Sequence, residues 1–388
     1  MSSTESVTDG GYIYKIPSAL GCYNYAKNAS KYVDNDIEWP SGIVCGYTKD
    51  KNDKAIAEVK ITAIRISTGE YNLEDYCFSF KSDNAGQYMQ VLPQGTYDFV
   101  ISKDGYLPYA IQNIVVKPNE TMYMENIIMD KWVSIAYDTG CINGTVVHAL
   151  SGEKVSGATV KIHKGWNNRT GEYCKSLLGD IKMATTSLDG EFSIDASVGT
   201  YTVEISKKGY ITAYYNVVSN DMDTAYTKIV LTPSLSNDEY RIVLTWDANP
   251  RDLDSHLTYY VAQEQKCHVS YRNKKGEYAG NIIASLDLDD ISSYGPETIT
   301  ITLDTSLLEE GSEFRYSVHD YSSKSSTTSK ALSLSNATVH VYEGNKLINK
   351  YCVPQNNIGT VWHVFDITID GIHMVNEFYN ATTASGVY

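Results

Sequence analysis

"GQYMQVLPQGTYDFVISKDGYLPY" (residues 86–109) and "GEFSIDASVGTYTVEISKKGYITAY" (residues 190–214) are two copies of one unit. Gly86, Gly95, Gly105 and Tyr106 of the first fall on Gly190, Gly199, Gly209 and Tyr210 of the second, each pair 104 residues apart. The match extends upstream, where "GIVCGYTKDKNDKAIAEVKITAIR" (42–65) aligns with "GCINGTVVHALSGEKVSGATVKIHK" (140–164). Downstream, "TMYMENIIM" (121–129) aligns with "TAYTKIVLT" (224–232). Within each copy apolar residues alternate with polar ones over short runs, and glycine marks the turns. That is the pattern of half-buried strands joined by tight connections. Glycine at such points supplies the positive φ that hairpin turns require. The expected architecture is therefore all-β, with antiparallel β-sandwiches in tandem.

The rest of the chain divides around this repeat. "LTPSLSNDEYR" (231–241) reads as a linker, and beyond it "YRIVLTW", "KCHVSYRN", "ETITITL", "FRYSVHDY", "ATVHVYEG" and "TVWHVFDITI" alternate again. The sequence predicts an N-terminal extension over 1–40, sandwiches over 41–132 and 133–234, and a third sandwich over 240–380. In the extension, "YIYKI" (12–16) is a candidate strand for docking on its own chain or for strand addition to a second copy.

Composition agrees with strands: 32 tyrosines stand against 9 prolines in 388 residues, and no segment sustains a period of 3.6. The net charge of −15 argues against nucleic acid and against anionic membranes as partners, and suits a soluble protein or a cation binder. No run of about eighteen apolar residues is present, so no membrane-spanning helix is expected. "MSSTESVTDGG" has neither the basic nor the apolar region of a signal peptide. An exported protein would then lack its leader in this sequence, or leave the cell by another route such as lysis. Asn-x-Ser/Thr sequons occur at Asn28, Asn119, Asn143, Asn168, Asn336 and Asn380, as chance allows in a chain rich in these residues.

Two stretches of the third region concentrate carboxylates. In "LTWDANPRDLDSHLTYY" (244–260) strand alternation sends Leu253, Ser255 and Leu257 to one face, and Asp252, Asp254 and His256 to the other. In "ASLDLDDISSYGPETITI" (284–301) Leu286 and Leu288 point inward, with Asp287 and Asp289 outside and Glu297 following. Two unit charges about 4 Å apart repel by roughly 1 kcal/mol in water and about 4 kcal/mol at an effective dielectric of 20. If the two strands meet, such a cluster needs a counter-ion. Hard oxygen ligands favour Ca²⁺, and the imidazole leaves a transition metal open. The alternative is two solvated outer faces that never meet. His319 and Asp320 are adjacent in sequence, so only one of them can face the cluster.

The repeat resembles the carboxypeptidase regulatory-like, or transthyretin-like, seven-stranded domain. The second copy, with "SLDGEF" (187–192), fits more closely than the first, with "SDNAGQY" (82–88). Such modules resemble spacers more often than active sites. The third region, through Trp246, Asp247, Asp252, Asp254, His256, Asp287, Asp289, Tyr294, Gly295, Pro296 and Glu297, resembles a family of bacterial extracellular sandwich domains. This resemblance implies a location and a fold rather than a chemistry. Trp246 and Trp362 lie within strand patterns and are expected in the core.

Seven cysteines follow the units: Cys45 and Cys77, Cys141 and Cys174, Cys267 and Cys352, with Cys22 left over. Their spacing predicts three intradomain disulfides, the alternative being buried thiols. No nucleophile elbow, H-E-x-x-H motif or Gly-rich phosphate loop occurs. The expectation is a non-catalytic extracellular or cell-surface structural protein, a stalk or filament subunit with a calcium-stabilised third domain. Its partners would be further copies of itself or a surface protein or glycan. An adhesin that binds a glycan or protein is the alternative, and a virion or tail component a further one.

Overall fold

The computed structural model describes residues 5–9, 12–16, 31–34, 37–66, 77–132, 140–166, 182–219, 225–261, 265–278, 280–302 and 313–387. Among these residues there is no α-helix, only strands, turns and one 3-10 turn at Ala384–Gly386. Near the N-terminus β1 (Glu5–Asp9) and β2 (Tyr12–Ile16) form an antiparallel hairpin, so the strand expected in "YIYKI" pairs with residues 5–9. β3 (Lys31–Asp34) lies antiparallel to the start of β4 (Ile37–Lys49).

The first sandwich continues through β5 (Lys60–Arg65), β6 (Cys77–Lys81), β7 (Gln87–Pro93), β8 (Gly95–Ser102), β9 (Tyr109–Val116), β10 (Thr121–Tyr123) and β11 (Ile127–Ile128). The second is built from β12 (Gly140–His148), β13 (Thr159–Lys164), β14 (Lys182–Thr185), β15 (Glu191–Ala196), β16 (Gly199–Ser206), β17 (Ala213–Ser219) and β18 (Ala225–Leu231). Their topologies coincide. One sheet runs β6-β5-β8-β9 in the first and β14-β13-β16-β17 in the second. Facing it, β4 is flanked by β7 and, in parallel, by β10 and β11; β12 is flanked by β15 and, in parallel, by β18.

Sequence alternation drives this arrangement. In β15, Phe192, Ile194 and Ala196 turn inward while Glu191, Ser193 and Asp195 face water. Gly86 and Gly190 have φ of +73° and +69°, and a Cβ at either would strike the carbonyl oxygen of Thr48 or Val146. The repeat therefore preserves a glycine that the backbone demands. Tyr97 and Tyr201 are equivalent too. Each buries its ring and donates its hydroxyl to a carbonyl four residues upstream, at Pro93 (2.8 Å) and Ser197 (3.0 Å). A buried phenol needs such an acceptor.

The third sandwich has a six-stranded sheet, β22-β23-β24-β19-β26-β27, facing a five-stranded one, β21-β20-β25-β28-β29. Its strands are β19 (Glu239–Thr245), β20 (Leu253–Val261), β21 (Gln265–Val269), β22 (Lys275–Tyr278), β23 (Asn281–Leu288), β24 (Glu297–Thr302), β25 (Phe314–Asp320), β26 (Thr338–Glu343), β27 (Lys346–Cys352), β28 (Val361–Thr368) and β29 (Gly371–Tyr379). Leu244, Leu253, Leu257, Ile299, Val318, Val339 and Trp362 pack in its interior. Trp246 is buried as well, its indole N–H donating to the Pro250 carbonyl at 3.0 Å, so both tryptophans belong to the core.

Of the three expected disulfides, Cys45–Cys77 and Cys267–Cys352 are corrected by this arrangement, while Cys141–Cys174 involves a residue outside the described ones. Cys45 on β4 and Cys77 on β6 sit in different sheets, as do Cys267 on β21 and Cys352 on β27. Cys77 points outward from β6 while Cys45 is buried in the first sandwich, and the Cys267 and Cys352 thiols meet different partners, the Glu277 carbonyl and Thr338 Oγ1. Cys45, Cys77, Cys141, Cys267 and Cys352 accordingly carry thiols. The Cys141 thiol lies 3.0 Å from both Asn143 Oδ1 and Ser193 Oγ. Cys22 and Cys174 lie outside the described residues.

The three units pack on one another. Between the second and third, Val147, Ala149, Ile211, Val230, Leu235, Val243 and Tyr342 form a shared apolar cluster. Arg241 spans the linker, donating to Thr232 Oγ1 (2.9 Å) and the Pro233 carbonyl (3.0 Å). Between the first and second, the Trp166 indole N–H donates to Asp98 Oδ2 at 2.7 Å. A cleft of about 1250 Å³ opens among all three units, with Tyr109, Tyr214, Lys228, Asp247 and Asn336 on its walls. The units thus gather around a cleft rather than string out in a line.

Tyr342→Ala removes the largest ring from the second junction and should destabilise by about 3–5 kcal/mol, the usual range for a buried aromatic. Calorimetry should show the second and third units melting separately in this variant and together in the parent. Identical single transitions in both would contradict a coupled junction.

Candidate metal centre

The first half of β20 explains why charged groups collect where they do. β21 pairs with β20 only over Leu257–Val261, so among the described residues no strand lies beside the edge of β20 at residues 253–256 on that side. The N–H of Ser255 would be orphaned there, and Glu297 supplies the acceptor: its Oε2 receives that N–H at 2.5 Å. Glu297 opens β24 in the opposite sheet and so reaches across the end of the sandwich. The turn before it, Ser293-Tyr294-Gly295, has positive φ throughout. A Cβ at Gly295 would lie 2.8 Å from both the Leu244 carbonyl and the Trp246 ring, so glycine is required there.

On the other side of β20 the register with β25 sets Asp254 opposite His319 and Leu253 opposite Asp320. His319, rather than Asp320, therefore shares a face with Asp254. Asp254 Oδ2 and His319 Nδ1 lie 3.8 Å apart. His256, two residues on, turns the same way, and its Nδ1 is 2.8 Å from His268 Nε2 on β21. Two triplets result. Asp254, His256 and His319 place ligand atoms within 4.8 Å of one another, and so do Asp254, Asp289 and Glu297. Relative exposure is 3% for Asp254, 1% for His256, and 0% for both Glu297 and His319. Tyr271 and Tyr321 meet edge to face over the histidines, their centroids 5.5 Å apart. Lys324 stacks on the Tyr321 ring at 3.3 Å.

Much of this cluster has no hydrogen-bond partner. Asp254 Oδ2, His256 Nε2, His319 Nδ1, Glu297 Oε1, Asp289 Oδ1, Asp252 Oδ1 and Asp320 Oδ2 are all buried atoms in that state. Leaving one buried polar group unmet costs about 1–3 kcal/mol, and more when it is charged. Positive charge nearby is sparse: Lys274 pairs with Asp289 Oδ2 at 2.7 Å from a half-exposed position. Burial, reinforced by the charges of Asp252 and Asp289, pushes Asp254 up to about 8. Burial and the neighbouring Asp254 raise Glu297 well above the usual carboxylate range. Burial also drives His256 well below its ordinary value, and His319 below its own.

The expected set is thus mostly assembled, with one loss and several gains. Asp252, Asp254, His256, Asp289 and Glu297 come together, with Asp254, His256 and Glu297 buried and Asp252 and Asp289 half-buried, rather than on a solvated face. Asp287 does not join them. A bulge between Leu286 and Leu288 breaks the alternation of β23 against β24. Asp287 is left on the exposed face, bonded to Ser285 Oγ (2.6 Å) and Thr300 Oγ1 (2.5 Å). His268 was not anticipated at all. The spacing of "KCHVSYRN" gives a strand but no register, and only register sets His268 beside His256. The inter-unit cleft is a separate feature, since none of the cluster's residues lines it.

Residues 141–232 match the family model of the carboxypeptidase regulatory-like domain. No curated protein matches the chain. Among solved structures, a Streptococcal ancillary pilin is 16% identical with a TM-score of 0.19, over 60% of this chain and 72% of that one. The shaft pilin of Lactobacillus rhamnosus GG is 15% identical with a TM-score of 0.19, over 51% and 98%. The Bacillus anthracis TIE protein is 13% identical with a TM-score of 0.20, over 81% and 52%. Scores of this size carry no inference about what the chain does.

The raised Asp254 has a consequence for stability. Its carboxyl binds a proton in the fold up to about pH 8 but releases it near 3.8 in the unfolded chain. Without a cation, its contribution is fully present below pH 3.8 and is lost as pH rises through 8. In chelator, Asp254→Asn should therefore gain stability relative to the parent as pH climbs from 4 to 8, read by urea melts. A gap that stays constant or shrinks would contradict this placement of Asp254.

Proposed function

We propose that the chain is a non-catalytic structural protein of the cell surface or extracellular space. Two spacer sandwiches carry a third whose open end is locked by a divalent cation. The observation that carries this reading is the pair of buried, unpartnered oxygens Asp254 Oδ2 and Glu297 Oε1, contributed by opposite sheets. A cation bound to both, with Asp289 as third ligand, ties the two sheets together where neither has a strand to do so. Three carboxylates are hard ligands of the kind Ca²⁺ takes, with water completing its six to eight positions. The structural role is favoured over a catalytic one by burial. A substrate the size of a sugar or peptide has no approach to atoms this enclosed, whereas a cation entering during folding needs none.

A ligand that binds only the folded state stabilises by about 2.7 kcal/mol at a hundredfold excess over Kd. Millimolar Ca²⁺ should raise the melting temperature of the third unit relative to chelator. Asp254→Ala should abolish that rise, and Asp287→Ala should leave it intact, because Asp287 faces away. Superimposable melts with calcium and chelator would overturn the reading.

A further inference from the structure

We propose that the cluster is a two-cation centre, in which a second, transition-metal ion of the Zn²⁺ or Co²⁺ class binds Asp254, His256 and His319. This shares Asp254 with the calcium reading above but stands on different atoms. His319 Nε2 lies 3.0 Å from the carbonyl oxygen of Ala381 and must donate to it, since a carbonyl only accepts. The proton is therefore on Nε2, and Nδ1 is a bare lone pair. That lone pair faces Asp254 Oδ2 across 3.8 Å, beyond hydrogen-bond reach, so a proton on the carboxyl does not satisfy it. Two such ligand atoms held face to face in a buried site are explained by a cation between them. Bonds of about 2.0–2.2 Å to nitrogen and oxygen set two ligands of one tetrahedral ion roughly 3.3–3.6 Å apart, and wider angles set them further.

The same logic fixes His256. Its Nδ1 meets His268 Nε2 at 2.8 Å, so one ring donates to the other. With His256 as donor, its buried, unpartnered Nε2 becomes a second bare lone pair, on a residue of the same triplet. With His268 as donor, His256 Nε2–H would be buried with nothing to bond. The first arrangement leaves no such orphan once a metal is bound. Ala381 and His268 are thus outer partners of the kind that orient ligating imidazoles. Two imidazoles and one carboxylate suit Zn²⁺, Co²⁺ or Fe²⁺ and poorly suit Ca²⁺. The carboxylate triplet of Asp254, Asp289 and Glu297 has the opposite preference, so Asp254 becomes the bridge between a hard site and a softer one.

Equilibrium dialysis of the full chain in Ca²⁺ and Co²⁺ together should find two divalent ions per molecule, one of each. Co²⁺ should give the intense visible absorption of a low-coordinate nitrogen–oxygen site. His319→Ala should abolish that absorption yet keep the calcium melting shift, and Asp289→Asn should do the reverse. His268→Ala, a positioning change, should weaken Co²⁺ by about ten- to a hundredfold without altering the calcium shift. No bound Co²⁺, or a Co²⁺ spectrum indifferent to His319→Ala, overturns the proposal. The wild-type stoichiometry reads out even if a variant fails to fold. Loss of the calcium shift with Co²⁺ binding intact would instead remove only the calcium reading.

Discussion

An N–H without a strand beside it governs the far end of this molecule. β21 stops before it can pair with the first half of β20, and the Ser255 amide is met instead by the carboxylate of Glu297. One hydrogen bond thereby joins two sheets, because Glu297 begins a strand in the opposite layer. The same contact brings a carboxylate into a region already holding Asp254 and Asp289. A backbone need solved with an acidic side chain creates an electrostatic need, which the proposed cation would meet.

The turn that delivers Glu297 also faces the second unit. Lys228 donates to the Gly295 carbonyl, and Thr298 donates its hydroxyl to the Ala149 carbonyl at 2.6 Å. Glu297 therefore lies between two tethers to the neighbouring sandwich. On the other side, His319 is held by Ala381, whose side chain packs with Val361 and Val387. The centre is thus attached both to the inter-unit junction and to the C-terminal segment, through bonds to backbone carbonyls that substitution of those residues leaves in place.

The repeat was legible because its glycines and alternation are local properties. Gly86 and Gly190 answer to a carbonyl a few ångströms away, and Phe192, Ile194 and Ala196 announce a buried face by spacing alone. Asp252, Asp254 and His256 were legible for the same reason. What stayed hidden was register. The bulge at Leu286–Leu288 removes Asp287 from the cluster, and nothing in "SLDLDD" marks it. His268 and His319 reach their places only through pairings of β20 with its two neighbours. The spacing of Cys45 and Cys77 misled in the same way, since an interval along the chain does not say which way each thiol faces.

The central claim is that cations occupy the space bounded by Asp254, Glu297 and His319. Anomalous diffraction from crystals grown at pH 8 with Mn²⁺, which accepts both oxygen and imidazole ligands, tests it most directly. The account predicts strong anomalous peaks beside Asp254, within about 2.0–2.4 Å of its carboxylate and of at least one of Glu297 Oε1 or His319 Nδ1. A well-ordered cluster with no anomalous density in that space would contradict it.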